Sequence, residues 1–188
     1  MTKTVANTLI SISPAFLKKI SEDTLKPIGR NLFRKELTMS VLISMQEQKQ
    51  VKKNKLVLVV SKGTADAIYP AFILATTAVS QGMEVFMYFT FGGMKVLTKD
   101  TRDTIEPSKD LGIDKGTLQS LVQKGGMPTI PQMLEMAMQA GVHINACSPT
   151  MKLFGTTKES LVSTEIPVVG AATFLEWASD PEAITLFI

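Results

Sequence analysis

Residues 55–60 read KLVLVV, five consecutive apolar side chains of which three are valine. A run with no polar side and this much β-branching is too short for a buried helix. It fits a strand covered on both faces, as in the interior of a parallel sheet. Ser61-Lys62-Gly63-Thr64 then breaks the pattern. Residues 65–81 carry Ile68, Phe72, Ala75, Thr76 and Val79 along one side, which predicts a helix stopped by Gly82, with Pro70 bending or delaying its first turns. Residues 84–89, EVFMYF, read as a second strand. Strand, helix and strand in this order call for parallel pairing through a right-handed crossover.

The same alternation continues. Thr90-Phe91-Gly92-Gly93-Met94 is a loop past the carboxyl end of a strand, where open α/β sheets hold ligands, and its two glycines permit close backbone approach. Residues 95–123 predict a short helix, a polar loop and a second short helix from 115, followed by a flexible Gly-Gly-Met-Pro loop at 125–128. Over 129–140, Ile130, Met133, Leu134 and Ala137, with Met138 at the margin, form one apolar stripe ended by Gly141. That methionine stripe is core packing rather than a ligand set. A strand at 142–147, a short helix at 157–163, a strand at 166–169, a helix at 171–178 and a fifth strand or tail at 185–188 complete the expectation. It is one doubly wound α/β domain over residues 55–188, with a mostly parallel sheet of about five strands.

Residues 1–54 hold ten basic residues against four acidic ones, whereas the remainder is slightly acidic. Apolar side chains at Phe16, Leu17 and Ile20, and then at Leu32, Phe33, Leu37, Val41, Leu42 and Met45, recur at helical spacing around a break near Pro27 and Gly29. This predicts a basic helical arm, ended by the polar linker QEQKQVKKN. It serves either to pack on the domain or a neighbouring subunit, or to dock on a membrane surface or acidic partner. The basic residues are scattered with few aromatics among them, which argues against nucleic acid. No stretch is apolar enough over about 18 residues to span a membrane, and no signal peptide opens the chain, so a cytoplasmic protein is expected.

Chemistry narrows to one atom. Cys147 is the only cysteine and His143 the only histidine, so no intramolecular disulfide, cysteine-cluster metal site or other metal centre is expected. Cys147 ends a predicted strand just before a predicted helix, with Ser148 as its N-cap and Pro149 in its first turn. Unpaired N–H groups there favour a thiolate. Ser148 and Thr150 could steady it, while a buried inert cysteine is the plain alternative. His143 shares strand parity with Cys147 but lies about 13 Å away along a strand, too far to act as its base. Lys62-Gly63-Thr64 could hold an anion at a helix start, with Gly92, Gly93 and Met94 as a second wall; ordinary turns are the more common explanation of both.

Four stretches together resemble a known family: YFTFGGMKVL (88–97), GGMPTIPQMLEMAMQAGV (125–142), ACSPTMKLFG (146–155) and IPVVGAATFLEWA (166–178). They are similar to the DsrE/DsrF-like family, especially its DsrE2 branch, labelled peroxiredoxin-like or sulfurtransferase-like. The resemblance covers roughly residues 55–180. It implies a flavodoxin-like three-layer α/β/α fold, homo-oligomers, and a functional cysteine matched by Cys147 with Met151 and Gly155 behind it. It further implies uptake and transfer of sulfane sulfur as a persulfide or thiosulfonate, without a cofactor, with a small sulfur carrier or a rhodanese as partner. Two rival readings remain: a one-cysteine thiol peroxidase, for which no arginine follows Arg102, and a non-catalytic oligomeric adaptor.

Overall fold

In the computed structural model, which describes residues 53–188, β1 (Lys55–Val60) lies between two partners. On one side is β2 (Glu84–Phe89), the next strand in sequence; on the other is β5 (Ala183–Phe187), the last. The helix α1 (Ala65–Ser80) connects β1 to β2. β3 (His143–Cys147) and a two-residue β4 (Val168–Val169) extend the sheet beyond β2, giving the order β4-β3-β2-β1-β5 with every pair parallel. The predicted basic arm lies outside the described residues. Among the described residues no helix is long and apolar enough to cross a membrane.

The order of strands dictates where the helices go. Moving outward from β1 to β4, right-handed crossovers keep every helix on one face; returning from β4 to β5 puts the last helix on the other. The first face carries the main core. There Leu56, Leu58 and Val60 meet Ile68, Phe72 and Ala75 of α1, and Leu134 and Ala137 of α3 (Ile130–Gln139). The stripe expected for α3 is the side it buries, and its first turn is closed by a capping box between Thr129 and Gln132. Among the described residues the opposite face is covered by α5 (Ala171–Ala178), through Phe174 and Trp177. This is a flavodoxin-like α/β fold in which the described part of one outer layer is a single short helix.

Three local expectations are corrected. Residues 91–97 are not an open loop but a 3-10 helix, whose Met94, Val96 and Leu97 are buried. The expected helix at 157–163 is a turn. Its Leu161 bridges antiparallel to Thr98, and the backbone of Val162 donates to Leu97. Between these, α2 (Lys115–Lys124) starts with Asp114 accepting from the Thr117 amide. Pro70 neither delays α1 nor breaks it, since the helix runs through from Ala65.

The segment after β2 is anchored at the start of α1. The Ala65 amide donates to Glu106, and the Asp66 carboxylate accepts from the Ser108 amide at 2.7 Å. Burial pushes the Asp66 carboxyl up, but the Ser108 hydrogen bonds outweigh it and hold its pKa below the ordinary value. Asp66→Ala should cost about 1–2 kcal/mol in urea unfolding at neutral pH, because it orphans that amide. A depressed folded pKa gives stability that is complete above the unfolded carboxylate value and is lost as pH falls through the folded one. The gap between variant and wild type should therefore narrow in acid.

Candidate functional site

β3 alternates its side chains. Ile144 and Ala146 enter the main core, while Asn145 and Cys147 face α5. Cys147 pairs with Val169 of β4 and shares a small apolar cluster with Val59, Tyr88 and Phe174. β3 is followed by α4 (Ser148–Phe154), whose Met151 enters the main core; β4 is followed by α5 on the opposite face. Neighbouring strands whose connections leave in opposite directions form the topological switch point of an open sheet, the usual place for a ligand. Cys147 sits there.

The local backbone differs by one residue from expectation. Cys147 itself is the N-cap of α4, Ser148 is already helical, and no side chain caps the end. Ser148 is half-buried and makes no hydrogen bond to the sulfur. Thr150, the other hydroxyl expected beside the thiol, is the nearest donor. Thr150 Oγ1 lies 3.1 Å from Cys147 Sγ and donates to it. The same oxygen is 2.9 Å from Thr90 Oγ1 and accepts from the Phe91 amide at 3.2 Å. One hydroxyl has one proton and two lone pairs. With the Thr150 proton on sulfur, Thr90 must be the donor to Thr150, so the chain of O–H groups points at the thiol. Burial pushes the Cys147 thiol up. The Thr150 hydroxyl and amide and the Tyr88 hydroxyl, with Thr90 polarising Thr150 from behind, outweigh burial and hold its pKa below the ordinary value. Tyr88 is correspondingly held protonated, first by its burial and then by its bond to Cys147.

The sulfur is nevertheless enclosed, with Cys147 only 4% exposed. Its lid is Phe174, stacked on Tyr88 at 5.4 Å between ring centroids. No residue of α5 is fully buried, so this helix is thinly held. Phe174→Ala should therefore raise the rate of native-state alkylation of Cys147 about threefold, read with iodoacetamide.

The remaining sequence candidates divide into two groups. Gly63, Gly92 and Gly93 bring two loops backbone to backbone. A Cβ on Gly63 would strike the Gly92 carbonyl, and one on Gly93 would strike that of Val60. The Gly93 amide is already bonded to Ser61 and Thr90. Met94 and Met151 lie in the main core, away from the sulfur cluster. Thr64 starts α1 without capping it, and Lys62 is exposed. His143 is half-exposed, stacks on Phe86 at 4.6 Å and lies 3.8 Å from Glu84. Tyr88 and Thr90 were not singled out from sequence. Their parity was legible: Tyr88 occupies the same face of β2 that Cys147 occupies on β3.

At the mouth of the site Phe91, in a left-handed backbone conformation with φ of 42°, is exposed and meets the exposed Phe154 edge-on at 6.4 Å. Lys62 lies in the turn after β1, Lys95 in the 91–97 helix and Lys152 in α4, three segments without an acidic residue.

The DsrE/DsrF/DrsH-like family matches residues 52–110 and 104–187. The sulfur carrier protein DsrE2 of Allochromatium vinosum is 29% identical over 161 residues, covering 73% of this chain and 100% of the relative. The uncharacterized protein YrkE of Bacillus subtilis is 27% identical over 161 residues, covering 74% of this chain and 98% of the relative.

Proposed function

The chain belongs to the DsrE/DsrF/DrsH-like family, and from that premise we propose that it is a sulfur-trafficking protein carrying sulfane sulfur on Cys147. The observation that supports this most is the hydrogen bond from Thr150 to the Cys147 sulfur, backed by Thr90 and Tyr88. It favours the thiolate, which is the nucleophile. The reaction needs no group beyond that sulfur. With thiosulfate, the thiolate attacks the sulfane atom, the S–S bond breaks toward sulfite, and a persulfide remains on Cys147. With tetrathionate, the same attack leaves a cysteinyl thiosulfonate and expels thiosulfate.

Partner and assembly follow from the surface. A small sulfur carrier or a rhodanese would present its own sulfur to the mouth bounded by Phe91, Phe154 and the lysines, which suit an acidic rim around an apolar centre. The protein is a homo-oligomer in this reading. The thin outer layer exposes Leu175 on α5 and Ile184, Leu186 and Phe187 on the edge strand β5. Leu175→Glu should weaken self-association about tenfold, read as mass by light scattering against concentration. It works in the cytoplasm, where a free thiol stays reduced.

The burial of Cys147 favours one competing reading, an inert core cysteine in an adaptor. Intact-protein mass spectrometry after incubation with thiosulfate, tetrathionate and polysulfide separates the two. A sulfur or thiosulfonate adduct confined to Cys147 supports the carrier. No adduct with any donor, together with a thiol that resists titration in the native state, ends it.

A further inference from the structure

The face opposite the thiol holds a cavity of about 360 Å³, between the start of α1, the 102–105 turn, α2 and the start of α3. Its floor is apolar, formed by Ile105, Leu118, Val122 and Ile130. Two cations reach it, Arg102 and Lys115. Arg102 Nε is buried and has no hydrogen-bond partner among the described residues. The one acidic side chain lining the cavity, Asp103, is 3.8 Å from that nitrogen, beyond hydrogen-bond reach. Lys115 spends one of its three N–H bonds on the Asp103 carbonyl, at 2.8 Å. A buried guanidinium N–H without an acceptor is rare and calls for an explanation.

We propose that this cavity binds a small organic anion, with a carboxylate, sulfonate or phosphate head on a short apolar body. The head would accept from Arg102 and Lys115, both of which are donors only. Gln119 and Gln123 line the same wall and can complete the contact set, as can the Tyr69 hydroxyl. The apolar body would lie on the floor. The volume is at the small end of the range for ligand pockets, which suits a body of a few carbons rather than a nucleotide. The cavity opens on the α1 and α3 side of the sheet and Cys147 on the α5 side. Binding is thus independent of sulfur chemistry.

The test uses the full chain and ligand-detected NMR titration with hexanoate, hexanesulfonate and hexyl phosphate. Hexanol and hexylammonium serve as controls. Saturable binding of an anion, with a Kd of about 1 mM or tighter, is expected. Hexanol should bind about tenfold more weakly or worse, and Arg102→Gln should weaken the anion by about the same factor. Gln119→Glu, at an exposed position, should do likewise by placing a like charge at the mouth. It also guards against a folding defect in the arginine variant. Cys147→Ser should bind as wild type, so failure of the sulfur reading would leave this one standing. The proposal is overturned if no anion saturates, if hexanol binds as tightly, or if both cavity variants bind the anion unchanged.

Discussion

Replacing Cys147 with serine is expected to abolish sulfur loading completely, with melting temperature and oligomer mass unchanged. The chain has no second thiol to take over, so the residual signal should be background. The substitution is close to isosteric and keeps a hydrogen-bonding atom against Thr150, Thr90 and Tyr88, so the site can stay assembled. Loading that persists in this variant would show that sulfur is held elsewhere, or non-covalently. A variant that unfolds would be uninformative by itself, and Cys147→Ala, which removes the atom from a mainly apolar cluster, is the companion. Both must lose the adduct.

Thr150→Val should show the second large effect, on the thiol's acidity. Removing the strongest side-chain donor to sulfur should raise the Cys147 pKa, measured from the pH dependence of alkylation. At neutral pH the thiolate fraction then falls. A more basic thiolate is a better nucleophile, which recovers part of that loss, so the net rate should drop about fivefold. The same change leaves the Thr90 hydroxyl and the Phe91 amide without their acceptor, at a cost of about 1–3 kcal/mol. Thr150→Ser separates the two roles, since it returns the hydroxyl and should restore the pKa. The sign with pH is also fixed. A thiol lowered in the folded state adds stability as pH rises through the folded value, and the gain is complete above the ordinary value of 9.0. Wild type should therefore gain on Thr150→Val toward alkaline pH.

What could be read from the chain was whatever depends on near neighbours. KLVLVV and EVFMYF announce strands by composition, and α3 announces itself by a capping box, an apolar stripe and a terminal glycine. Residues 157–163 misled because Leu161 and Val162 look like part of a helical stripe. The Val162 amide and the Ser160 carbonyl are instead bonded to Leu97 and Lys99, a pairing no local pattern encodes. The cysteine was legible from its place at a strand end, but its surroundings were not. The expected donors were Ser148 and Thr150, near neighbours in sequence; Thr150 donates to the sulfur and Ser148 does not. Tyr88, and Thr90 behind Thr150, are brought in by the β2–β3 register across more than fifty residues. The glycine pair at 92–93 carried a signal of the right kind, close approach, with a different object: the β1 turn rather than a ligand.

The position of β1 has a bearing on how the chain is made. Its partners are β2, synthesised soon after it, and β5, synthesised long after both; the Ile188 amide then bonds to Val59 and its carbonyl takes the Ser61 amide. Until residues 183–188 leave the ribosome, this apolar strand presents one bare edge to any other strand within reach. Such pairing of distant segments is slow, and an open apolar edge is where chains misassociate. Nascent chains stalled just short of residue 183 should thus be the aggregation-prone species, and the ones a chaperone would have to hold.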